Sequence, residues 1–162
     1  MQTSTQQPNL RSFIVYDRLP EGCVAYPVTT TDCAPHLRPG DIAIIDPAEC
    51  EPAVGELFVI QWSGGRTNLV ETWSRALTAG SGPDGEMIDT VCWFVGSSNR
   101  PRSREECIEW LSSGRRGGWM DGPYATEGPG TGYLASKLRG RVVGILEPSF
   151  AEPLRLANAE GC

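Results

Sequence analysis

Few side chains in this sequence are equipped for covalent chemistry. His36 is the single histidine, and it follows Cys33 in the turn-prone segment Asp32-Cys33-Ala34-Pro35-His36. A thiol attacks well only once a base has taken its proton, so Cys33 with His36 is one candidate pair. The competing reading makes Cys33 a small apolar side chain that fills a pocket, and it is preferred here. Asp32, His36, Asp41 and Asp46 offer oxygen and nitrogen donors, but their spacing matches no established ligand pattern. No metal and no other cofactor is therefore expected. Lys137 is the single lysine and directly follows Ser136. Adjacent residues on regular structure face different ways, so these two do not form a nucleophile–base dyad.

The frame that must position such groups is cut into short pieces. The 162 residues include 19 Gly and 13 Pro, which favours short strands and turns over long helices. At 40% hydrophobic residues the chain can bury a core without disulfides or metal. The formal net charge of −6 makes it a poor direct ligand for a phosphate backbone. Arg100, Arg102, Arg104, Arg115 and Arg116 form the densest basic stretch, read here as a solvated loop and helix face. The six cysteines are scattered, with no close pair. The start of the chain is polar, and no apolar run reaches membrane-spanning length. A cytoplasmic protein with reduced thiols and no membrane contact is expected.

The strand-like runs are Phe13–Tyr16, Val24–Val28, Ile42–Ile45, Leu57–Trp62, Thr67–Trp73, Val91–Gly96 and Arg141–Leu146. Leu37-Arg38-Pro39-Gly40-Asp41 is a tight turn, with Pro39 fixing one dihedral and Gly40 permitting positive φ. Ser63-Gly64-Gly65 reads as a hairpin turn. Ser103-Arg104-Glu105-Glu106 has the form of a capping box. It opens a helix with Cys107, Ile108, Trp110 and Leu111 on its apolar face and Gly114 as its stop. Residues 115–132 read as a long loop. Residues 134–138 read as a short helical turn or strand entry.

Three stretches in order carry a family resemblance: Asp32 to Asp46 with Pro35, Leu37, Gly40 and Asp41; Gly55 to Ile60; and Leu138 to Leu146 with Gly140, Val142, Val143 and Gly144. Together they resemble the LexA-type serine peptidases, a group with phage-repressor C-terminal domains and UmuD-type proteins, whose fold the bacterial signal peptidases share more distantly. The resemblance implies a mainly β fold: a coiled, partly barrel-like antiparallel sheet, here with one short helix in an insertion. The matched parts span about residues 24–146 with an unmatched insertion inside, and the chain as a whole reads as a flexible N-terminal arm over 1–12, a β-domain over 13–147 with the insertion at about 97–133, and a peripheral tail over 148–162.

The same resemblance locates what is missing. Such peptidases pair a serine with an unprotonated lysine, which desolvation must bring into its neutral form. The serine position falls on Asp32 and the methionine position beside it on Cys33. The lysine position falls on the hairpin return at Glu71. Without serine or lysine there, the chain is expected to be a pseudo-enzyme that acts as a protein-interaction or dimerisation module in transcription, stress or prophage regulation. Relatives pair through their C-terminal strands, so a homodimer or a repressor-like partner is implied, with no direct nucleic-acid binding. The alternative is an active protease or autoprotease using Cys33 or an Asp32/Glu71 acid pair. Trp110, Trp119, Tyr124 and Tyr133 surround the Gly-rich insertion, either as a small satellite core or as a partner-binding surface.

Overall fold

The structure is a computed structural model describing residues 12–114, 118–126 and 133–147. The expected arm, apart from Ser12, and the expected tail lie outside the described residues, as do Arg115 and Arg116. The fold is mainly β, with 46% strand and 9% helix.

The strands are β1 (Ile14–Tyr16), β2 (Val24–Pro27), β3 (Ile42–Asp46), β4 (Leu57–Gln61), β5 (Thr67–Ser81), β6 (Met87–Gly96), β7 (Met120–Tyr124) and β8 (Leu138–Leu146). One helix, α1 (Arg104–Ser112), lies between β6 and β7. The strands form one sheet in the order β2-β3-β8-β4-β5-β6-β7, and every pairing on that path is antiparallel. β1 adds to β8 in parallel. The sheet is not closed into a barrel.

The unbroken apolar runs of β3 and β4 have a simple cause: both faces of these strands are covered. Along β4 the side chains alternate between two cores. Leu57 and Val59 pack with Cys33, Leu37, Ala43 and Ile45. Phe58 and Ile60 pack with Val70, Val95, Tyr124, Leu134 and Leu138. The first core is roofed by the segment from Val28 to Leu37, the second by β7 and the one-turn helix at Leu134–Ser136.

Two glycines of β8 fix close approaches. A Cβ on Gly144 would lie 2.5 Å from the Tyr16 ring and 2.6 Å from the Ile14 carbonyl oxygen, so glycine lets β1 pack here. Gly140, at φ +140°, would bring a Cβ within 2.5 Å of the Asp46 carbonyl oxygen and of Ile45. β8 is hydrogen-bonded to β3 on one edge and to β4 and β1 on the other. Its edges are taken, so a second copy cannot add to β8 edge to edge.

The structure departs from the sequence reading in three places. β5 and β6 run far past Trp73 and start before Val91, forming a hairpin that continues as an exposed two-stranded ribbon to the turn at Gly82–Glu86. Beyond the sheet the ribbon has no second layer, so its residues carry no clean alternation to read. β7 lies in what reads as a loop, because it contains Gly122 and Pro123. It is an edge strand, where proline is tolerated. The Ser103 cap forms, its Oγ accepting from the Glu106 amide at 3.1 Å, while the Glu106 carboxylate accepts from the Arg102 amide, one residue before the cap, at 2.6 Å. Yet the residues read as the apolar face of α1 meet no core: none is buried, and Ile108 and Leu111 are 58% and 75% exposed.

Candidate functional site, a carboxylate clasped by two arginines

Register decides which face each group of β5 occupies. Glu71 stands opposite Leu57, and directly opposed residues share a face. Leu57 belongs to the core that holds Cys33 and Leu37. The sheet face under Glu71 is thus the one roofed by the Asp32–Leu37 turn. Trp73 and Arg75 follow at period two on that face. Thr72 points the other way and donates to the Ala53 carbonyl at 2.6 Å.

Glu71 is only 4% exposed. A buried carboxylate is costly unless it is paired and hydrogen-bonded. Here Arg102 Nη2 donates to one oxygen at 2.8 Å, and Arg100 Nη2 donates to the other at 3.4 Å. Arg100 also donates to the Ser97 carbonyl at 2.9 Å, and Arg102 to the Ser98 carbonyl at 3.3 Å. The Arg100 guanidinium lies 3.4 Å from the centre of the Trp73 ring, which stacks in turn on Phe94. Burial lowers the Arg100 guanidinium from its ordinary value, and the Glu71 charge acts in the opposite direction.

Asp32 ties to the same connecting segment from the roof. Its carbonyl accepts from the Ser98 amide at 2.7 Å. One carboxylate oxygen accepts from the Trp119 indole at 3.1 Å and the other from Thr30 Oγ1 at 2.9 Å. Ser97 holds the far side, its Oγ accepting from the Trp119 amide at 2.9 Å. Asp32 and Glu71 therefore grip one stretch, Ser97–Arg102, from opposite ends, and they do so through different partners.

The other sequence candidates fall in different places. Cys33 is 1% exposed and packs in the first core. His36 is half-buried in the same turn, where the Leu37 amide donates to the Cys33 carbonyl at 2.9 Å. Asp41 accepts from the Arg38 amide at 2.7 Å, and Asp46 from the Ala48 amide at 2.9 Å, so both cap turns. Among the described residues no three His, Cys, Asp or Glu side chains gather as a metal-holding group. Lys137 and Ser136 lie at a separate groove with Gln61 and Trp62. Five cysteines are free thiols, and Cys162 lies outside the described residues.

Of the four aromatic candidates, Tyr124 is buried in the second core and Trp119 packs against it. Burial first, and then a hydrogen bond to Asp121, push the Tyr124 hydroxyl far above its ordinary range. Trp119 also meets Trp62, with ring centres 6.0 Å apart. Trp110 and Tyr133 are half-buried.

Arg100 and Arg102 are the residues that sequence reading misplaces. They read as a solvated stretch, yet the Arg100 side chain is 9% exposed. The one available signal was Glu71 itself. An acid between Val70 and Thr72 in an apolar strand needs a cation, though the sequence does not say which one.

The fold and site define a mainly antiparallel open-sheet domain with a buried arginine–carboxylate cluster under a turn. No protein-family model, no curated protein and no solved structure matches the chain. No helix among the described residues is long and apolar enough to cross a membrane.

Proposed function

We propose that this chain is a catalytically inactive domain of the LexA and phage-repressor peptidase type that works by binding a protein partner. The observation that carries the reading is Glu71. Both of its oxygens are engaged by arginines at the position where such a peptidase needs a neutral lysine. Both Glu71 oxygens are taken up by arginine N–H donors, and Asp32 supplies no hydroxyl to activate. The thiol of Cys33 is packed in the core, away from any substrate. The role that remains is recognition and regulation, in the cytoplasm and as a self-associating module.

Self-association through this fold uses surfaces other than the edges of β8. The test is sedimentation velocity across a concentration series, combined with intact-mass measurement after long incubation. A concentration-dependent dimer of unchanged mass supports the reading. A strict monomer removes its dimer part, and self-cleavage removes the inactive assignment.

A further inference from the structure

Above the buried cluster the surface forms a groove of about 380 Å3. Arg75, Arg102 and Arg104 stand on its rim, Arg100 is beneath them, and Trp119 and Met120 form an apolar wall. In a chain with six more acids than bases, four arginines converge here. Among the described residues Glu71 is the only carboxylate in an ion pair with any of these guanidinium groups, its two oxygens committed to Arg100 and Arg102, while Glu106 accepts from the Arg102 backbone amide. The Arg75 and Arg104 side chains are exposed, and neither makes an ion pair or hydrogen bond with a described residue. Arg104 also sits in the first turn of α1, where the helix dipole disfavours a cation. Positive charge is thus concentrated beside exposed apolar surface, with Met120 57% exposed.

We propose that this groove is a binding site for an acidic peptide segment. Its carboxylates would pair with Arg75, Arg102 and Arg104, and an apolar side chain between them would rest on Trp119 and Met120. Guanidinium groups bind carboxylates in a two-pronged geometry, which suits a peptide read at close range. A nucleic acid is the poorer fit. The basic surface is one short concavity rather than a long stripe, and the net negative charge of the chain repels an extended polyanion. The inference rests on the proposed binding role and names the chemistry of the partner.

The test uses the full chain and a fluorescein-labelled peptide in which glutamates alternate with leucines. The same peptide with glutamine in place of glutamate, and a single-stranded oligonucleotide of equal charge, serve as comparisons. Fluorescence anisotropy should show saturable binding of the glutamate peptide alone. The double substitution Arg75→Ser and Arg104→Ser should weaken it about tenfold or more, with an unchanged circular dichroism spectrum. Raising the salt should weaken it too, since the rim pairs are screened. Equal binding of the glutamine peptide, tighter binding of the oligonucleotide, or an unaltered affinity in the double variant would overturn the proposal. The mass of the peptide after incubation separates the two readings. Absent binding with an intact peptide sinks the groove and leaves the inactive-domain reading standing, whereas a cleaved peptide sinks that reading itself.

Discussion

Glu71 and Arg100 form an ion pair at 3.4 Å in which the two side chains are 5% and 9% exposed. The pair lies on the sheet face beneath the Asp32–Leu37 turn, with Trp73 stacked on the guanidinium. Removing one partner of a buried pair strands the other charge, at a cost of about 3–5 kcal/mol. Glu71→Ala should therefore lower the unfolding free energy by roughly that amount in urea titration. Glu71→Gln should cost less, because the amide oxygen still accepts from one arginine. Arg102→Ala should cost less again, since that side chain is 52% exposed and its interaction is screened by water.

Gly144→Ala tests the packing of β1 on β8. The new methyl meets both the Tyr16 ring and the Ile14 carbonyl, so a loss of about 1–3 kcal/mol is expected. Adding Tyr16→Ala should restore only part of that loss in thermal unfolding, because the backbone contact remains.

Core and helix positions should separate sharply. Phe58 is fully buried, and Phe58→Ala should cost about 3–5 kcal/mol. Leu111 is 75% exposed, and Leu111→Ala should stay within about 0.5 kcal/mol of the parent. Ser103→Ala loses the side-chain cap on α1 and should cost about 1 kcal/mol. A large effect at Leu111 would show that α1 packs against something in solution.

Thiol labelling reads the same structure by pH. Cys107 is exposed and should react first with an alkylating reagent. Burial pushes the thiols of Cys23 and Cys50 up, so their labelling should rise only as the pH climbs past the ordinary thiol range. Cys33 should react only on unfolding. Labelling of Cys33 in the folded protein at neutral pH would contradict its core placement. Peptide mapping of the alkylated protein resolves each site.

Much of this fold was legible in the sequence where burial is two-sided. Leu57–Ile60 shows as an apolar run because two cores claim alternate side chains, and Ile42–Ile45 because Ala43, Ile44 and Ile45 are all buried. Gly140 and Gly144 are needed for close packing against β3 and β1. The ribbon beyond Trp73 was not legible, since a strand pair with solvent on both faces imposes no pattern. β7 was hidden by Gly122 and Pro123, which an edge position accepts. The candidate site was less legible than the fold. The resemblance sets Asp32 and Glu71 close together, whereas in the structure they bond to different partners, and the cations on Glu71 arrive from a connecting segment whose path only tertiary structure determines. The apolar residues of α1 show the opposite failure, because helical spacing alone does not guarantee a neighbour to pack against.

Binding without cutting is the role proposed for this domain. The most direct measurement is mass spectrometry of the purified chain and of a random peptide library after incubation with it over about pH 5 to 10. The account predicts an intact chain and an unchanged library at every pH. Cleavage that disappears in Cys33→Ala or Glu71→Gln, with the fold retained, would contradict it.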